Sequence, residues 1–150
     1  MLQSEIRYGI DDIYRVIPHR SPFVLIDGIT EHQPGKHCCS VRFIDPADPV
    51  FQGHFPDEPI LPGVLIIENM AQTAWFLLAS EEENPSARSY RLARINQCHF
   101  TRPVRPGMTL HTQVDVLRRF EQLCVLSCHA LVNHQETVAR SELIVSSVPR

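Results

Sequence analysis

An α+β fold, an antiparallel sheet wrapped around one central helix, is what this 150-residue sequence predicts, and three observations carry the prediction. One segment, Ile60 to Ala79, is apolar nearly all round and must be covered on most sides. Four strand-like runs follow it, with separators short enough for antiparallel neighbours. Two β-rich runs joined by a turn precede it. No composition shift, repeat or low-complexity tract marks a boundary, so a single domain over residues 1–150 is expected.

The elements follow in order. Ile10, Ile13, Tyr14 and Ile17 recur at helical spacing and Pro18 stops them, which predicts a short helix. Phe23 to Thr30 is rich in β-formers, and the Pro34-Gly35 turn leads on to Lys36–Phe43, together a predicted hairpin. Residues 44–63 are dense in Pro, Gly and Asp and read as an irregular loop ending in Leu61-Pro62-Gly63. The central helix starts there, where Pro suits a helix start, and runs to about Ser80. Residues 81–89, polar and containing a Pro, read as a mobile connection. Strands are predicted near Tyr90–Thr101, Met108–Arg119, Leu123–Val132 and Thr137–Val145.

With 43% hydrophobic and 21% charged residues the chain can bury a core and is not a disordered segment. The net charge of −3 argues against a nucleic-acid binder, yet it conceals a division. Between residues 88 and 119 seven arginines face Asp115 alone, so that stretch carries +6 and the rest −9. Arginine presents a planar fork suited to carboxylate and phosphate, so a basic face for an acidic partner stands beside the plainer reading of a solvated strand face. Five cysteines, an odd number, with no secretory start, argue against a disulfide framework and predict a reduced, cytoplasmic setting. The apolar segment is interrupted by Glu68, Asn69, Gln72 and Thr73, which makes it a poor membrane span and a good buried helix.

Three positions carry candidate chemistry. Glu68 stands among Val64-Leu65-Ile66-Ile67 and Asn69-Met70-Ala71, where burial without a cation would raise its pKa and suit it to general-acid work. Gln72, one turn on, shares its face and could hydrogen-bond it. Pattern alone leaves open that Glu68 simply points to solvent. His54 sits in Gln52-Gly53-His54-Phe55-Pro56, a Gly- and Pro-punctuated loop that can hold an imidazole rigidly or merely cap a carbonyl. Gly63 would present a free N–H at a helix start, an oxyanion-type donor or just a turn residue.

The blocks Phe51-Gln52-Gly53-His54-Phe55-Pro56 and Pro59-Ile60-Leu61-Pro62-Gly63-Val64-Leu65-Ile66-Ile67-Glu68-Asn69-Met70-Ala71-Gln72 closely resemble the signature of the FabZ-type 3-hydroxyacyl-acyl-carrier-protein dehydratases. Pro18-His19-Arg20-Ser21-Pro22-Phe23 with Ile26-Asp27, and Phe100-Thr101-Arg102-Pro103-Val104-Arg105-Pro106-Gly107, agree with it in order and interval. The resemblance implies a hotdog fold and a homodimer or trimer of dimers, with a heterodimer with a second hotdog protein also open. It implies loss of water from a 3-hydroxyacyl thioester to give the trans-2-enoyl thioester, with His54 and Glu68 catalytic and drawn from different subunits. Phe55, Gly63, Val64 and Gln72 become substrate-binding candidates. No metal and no organic cofactor is implied. The implied partner is an acyl carrier protein, acidic in this resemblance, for which Arg88, Arg91, Arg94, Arg102 and Arg105 are docking candidates.

Glu rather than Asp at position 68 argues against the isomerase activity of related bifunctional enzymes. Departures from the family pattern are Gly28 in place of Arg, Asp57-Glu58 in the His54 loop, and Trp75 and Phe76, which would narrow an acyl tunnel or simply pack the core. A hotdog thioesterase, or a non-catalytic subunit that binds the carrier protein, are the alternative functions. His19 is expected to be structural, at the corner between helix and strand. His37, Cys38 and Cys39 are sequence neighbours without evident convergence, and Cys124 and Cys128 lie on the opposite strand face from His129, so no metal site is expected.

Overall fold

The computed structural model describes residues 5–150. After a short helix, α1 (Ile10–Val16), come strands β1 (Gly28–Gln33) and β2 (His37–Phe43), a helical turn α2 (Val50–Gly53) and the long helix α3 (Gly63–Ala79). A 3₁₀ turn (Pro85–Ala87) leads to β3 (Arg88–Phe100), β4 (Thr109–Phe120), β5 (Leu123–Val132) and β6 (Glu136–Pro149). The strands form one antiparallel sheet in the order β1-β2-β4-β5-β6-β3. It wraps α3 in the hotdog arrangement. Because each strand alternates its faces, one set of side chains, including Val114, Leu126 and Leu143, is fully buried with Met70, Ala74 and Leu77 of the helix.

The first predicted strand is displaced. Pairing begins only at Gly28, although Val24 and Ile26 are buried. The reason is that helix side chains take the backbone groups a ladder would need. Gln72 accepts from the Leu25 N–H (2.7 Å) and donates to the Phe23 carbonyl (2.8 Å), and Asn69 donates to the Leu25 carbonyl (2.8 Å). Asn69 also accepts from Thr112 of β4 (2.6 Å), while the Ser40 and Thr73 hydroxyls pair at 2.7 Å. These polar groups, buried inside an apolar core, are therefore satisfied, and they clamp α3 to the strands on either side. Gln72→Leu removes the partner of two part-buried backbone groups at once, the Leu25 N–H and the Phe23 carbonyl. It is expected to cost about 2–4 kcal/mol in urea unfolding.

Two departures in the sequence acquire a reason. A Cβ on Gly28 would stand 2.9 Å from the Ile6 side chain, so the chain ahead of α1 packs where a larger residue would collide. Phe76 is a core residue, 2% exposed, set against the rings of Tyr8 and His32. It therefore packs the core of the chain. The segment read as a connection is shaped by Asn84, whose side chain accepts from the Ser86 N–H (3.1 Å).

Candidate active site

His54 directly follows α2 and is held by a closed loop. Its N–H donates to the Val50 carbonyl (3.1 Å), and the Ile60 N–H donates to the His54 carbonyl (3.1 Å). Phe55 and Glu58 exchange backbone bonds at 3.0 Å each, so Asp57 and Glu58 form the tip of a tight turn. Leu61 donates to the Val104 carbonyl (2.7 Å), which fastens the loop to the connection between β3 and β4. Within this frame the imidazole Nδ1 lies 2.8 Å from the Ile60 carbonyl oxygen. A carbonyl only accepts, so Nδ1 carries the hydrogen and Nε2 of the neutral ring is left with its lone pair. The Phe55 ring stacks on the imidazole at 4.0 Å and is itself half exposed.

Gly63 opens α3, where its N–H has no partner within the helix. A Cβ there would come within 3.0 Å of the Phe100 ring, so glycine lets the helix start beneath the aromatic. An open groove of about 370 Å³ runs over this contact, lined by Ile60, Gly63, Ile66, Phe100 and Arg102 among others. Val64, the next residue of the helix, is 75% exposed.

Glu68 lies one helical turn past Val64, between the buried and the solvent-facing settings that its sequence leaves open, with the Gln72 partner expected from the helix spacing. The side chain keeps 28% of its exposure and accepts from Gln72 Nε2 at 2.9 Å. It is thus neither dry nor without a partner. Gln72 itself is fully buried and committed to the backbone of residues 23 and 25, so it positions Glu68 and lies below the surface a substrate could touch.

His19 was expected at a structural corner, and the structure places it at Glu68. Its Nε2 stands 3.7 Å from Glu68 Oε2, and its ring meets Trp75 edge-on at 5.1 Å. Glu68, Gln72 and Trp75 share one helix face at spacings of four and three, which brings Trp75 to this side while Phe76 turns inward. Arg20 builds the corner, donating to the carbonyls of Tyr14, Ile17 and His19. The one signal available in sequence is that His19 belongs to the first of the matching blocks.

His19 titrates below the ordinary histidine value of 6.5, chiefly because burial disfavours its charged form, with the Glu68 charge opposing. Burial is also the first cause of the depression at His32, His111 and His129. The unfolded chain therefore takes up protons first as pH falls through 6.5, so stability is expected to drop on acidification through that value. Melting temperatures compared at about pH 7.5 and about pH 5.5 check the sign.

His54 and Glu68 are not joined by any hydrogen bond or ion pair among the described residues. The arginines do not form one surface either. Arg88 opens the 13-residue β3 and Arg102 lies two residues beyond its other end, and Arg88 is bonded to Ser147. Arg102 lines the groove and pairs with Glu136 (3.6 Å), Arg105 pairs with Glu58 of the His54 loop (3.4 Å), and Arg91 and Arg94 are exposed along β3. The +6 stretch is thus partly balanced in space.

Comparison with known proteins agrees with this arrangement. A FabA-like domain matches residues 17–141. The 3-hydroxyacyl-[acyl-carrier-protein] dehydratase FabZ of Clostridioides difficile is 38% identical over 142 residues, 95% of this chain and 99% of that protein. The FabZ of Geotalea uraniireducens is 43% identical over 110 residues, 72% of this chain and 75% of its own. Among solved structures, the dehydratase heterocomplex ApeI:P from Xenorhabdus doucetiae superposes with a TM-score of 0.74 at 17% identity, covering 91% of this chain and 90% of that one, a likeness of fold. The His54 loop, the start of α3 and Glu68 all lie inside these matched regions, and the chain belongs to the FabA-like family, among the FabZ-type 3-hydroxyacyl-[acyl-carrier-protein] dehydratases.

Proposed function

We propose that this protein removes water from 3-hydroxyacyl thioesters carried on acyl carrier protein, giving trans-2-enoyl thioesters in fatty-acid biosynthesis. The observation that carries the reading is the His54 ring, whose Nδ1–H is occupied by the Ile60 carbonyl so that Nε2 is left to act as a base, in a loop whose Ile60 and Leu61 line the apolar groove. His54 Nε2 takes the proton α to the thioester carbonyl, and that electron pair forms the new double bond as the bond from Cβ to the hydroxyl oxygen breaks. Glu68 gives its proton to the departing oxygen, which leaves as water. The Gly63 N–H donates to the thioester oxygen as it gains charge. Proton exchange with solvent then restores both side chains.

The site is completed by a second subunit. β3 is hydrogen-bonded on one side only, to β6, and its free edge bears the exposed Leu92, Ile95 and Phe100 beside the groove. A homodimer joined along this edge brings the Glu68 of one chain to the His54 of the other. Phe55 and Val64, exposed in one chain, then face the acyl group. Carrier-protein docking falls to Arg102 at the groove and Arg105 beside the His54 loop, with Arg91 and Arg94 along β3, and Arg88 stands apart. Charge reversal at Arg102 is expected to raise KM for the carrier-bound substrate about 5- to 50-fold with little change in kcat, checked by steady-state kinetics at low salt. Five free cysteines fit a reducing, cytoplasmic setting, and no helix of the described residues is long and apolar enough to cross a membrane.

Intact-protein mass spectrometry of a 3-hydroxyacyl carrier protein incubated with the enzyme tests the reaction. Loss of one water from the carrier-bound chain is expected. Release of free acid would make the protein a thioesterase instead.

A further inference from the structure

On the outer face of the sheet, at the end opposite β3, three strands bring together residues the dehydratase reaction does not use. In β2, Cys38 is fully buried and Ser40 bonds to Thr73 of α3, so His37 and Cys39 face away from the helix. Glu31 of β1 stands opposite Cys39, just past a register shift that re-aims the strand, and Asp115 of β4 stands opposite His37. His37 Nε2 lies 3.2 Å from Cys39 Sγ, and His37 Nδ1 lies 2.7 Å from Asp115 Oδ1. The ligand atoms of Glu31, His37 and Cys39 all fall within 4.8 Å of one another.

We infer that Glu31, His37 and Cys39 form a binding site for one thiophilic divalent transition-metal ion of the Zn²⁺ class, with Asp115 orienting the imidazole. Tetrahedral zinc, with bonds of about 2.3 Å to sulfur and about 2.05 Å to nitrogen, separates two such ligands by about 3.5 Å. The sulfur and Nε2 are already close to that spacing. Glu31, exposed on a flexible stem, closes the rest of the gap. The carboxylate at Nδ1 is the partner a metal-bound histidine uses to fix its tautomer and leave Nε2 to the ion. Sulfur, imidazole and carboxylate together select zinc-like ions over Mg²⁺ or Ca²⁺, which prefer all-oxygen sites.

The same geometry could suggest a cysteine nucleophile with histidine as base, but Glu31 opposes it. Reactive thiolates are stabilised by cationic neighbours, and here the next group is an anion with no Lys or Arg partner among the described residues. A bound cation satisfies the thiolate and the carboxylate at once. Solvent reaches the site through a cavity of about 360 Å³ that Glu31 and Cys39 help to line, so water completes the coordination.

Cobalt titration of the reduced, chelator-treated full-length protein tests the site. One equivalent of Co²⁺ per chain is expected, with a sulfur-to-cobalt charge-transfer band that Zn²⁺ abolishes on displacing the cobalt. Cys39→Ser removes the band, Glu31→Gln weakens binding at least 10-fold with the cysteine intact, and Asp115→Asn weakens it about 10- to 100-fold. Cys98→Ser leaves binding unchanged, and all four variants retain dehydratase activity, which separates this site from the reaction at His54. No band in the wild type, a band that survives Cys39→Ser, or equal affinity in Glu31→Gln would overturn the assignment.

Discussion

His54→Ala is expected to lower the turnover of a 3-hydroxyacyl carrier-protein thioester by about 10²- to 10⁴-fold, the range lost with a positioned general base. The α proton of a thioester is far too weakly acidic to leave unaided. His54 is the group whose geometry is prepared for the task, since its loop is closed by backbone bonds on both sides and its ring is held by the Ile60 carbonyl. Those backbone bonds persist in the alanine variant. Stability is therefore expected to fall by no more than about 1.5 kcal/mol, the worth of one side-chain hydrogen bond. Exchange of the α hydrogen with deuterated solvent gives an independent check. It should vanish along with turnover, whereas a purely structural His54 would leave exchange intact in a folded variant.

Glu68→Gln is expected to cost a similar factor, about 10²- to 10⁴-fold in kcat, for a different reason. Glutamine keeps the size of the side chain and an oxygen that can accept from Gln72 Nε2, so the local hydrogen bond at 2.9 Å survives. What disappears is a transferable proton. Departing hydroxide is a poor leaving group, and without an acid the elimination stalls after the α proton has been loosened. Hydrogen exchange at the α carbon should therefore persist in Glu68→Gln while product formation does not, the reverse of the His54→Ala pattern. Mixing the two inactive variants tests whether the site is shared. In a two-fold dimer each hybrid holds one intact pair, so statistical reassortment returns about one quarter of wild-type activity. A site contained in one chain would return none.

Much of this protein is visible before any coordinates. The central helix announces itself by an apolar surface without a wide polar stripe, and β3 to β6 by alternation between short turns, all of which depend on neighbours in sequence. The His54 loop is legible for the same reason, because Gly53, Pro56 and Pro62 impose local geometry. His19 is different. Its sequence neighbourhood says only that a corner is being turned, while its place at Glu68 depends on α3 packing against that corner. Glu68 likewise stands in an apolar run that leaves its exposure open, and the packing of α3 sets it at 28%.

The sequence by itself determined the family, the central helix, the four-strand meander and the two residues that carry the proposed chemistry. The helix and the meander rest on side-chain periods of 3.6 and 2, while the family and the two residues rest on the resemblance of motif blocks at fixed intervals, and such signals are local. Only the tertiary structure decided that the Phe23 and Leu25 backbone is held by Gln72 and Asn69 instead of a strand partner, that the arginines scatter, and that Glu31, His37, Cys39 and Asp115 meet. These outcomes depend on register and on bonds between residues more than forty positions apart, as with Leu25 and Gln72, and no local pattern encodes them.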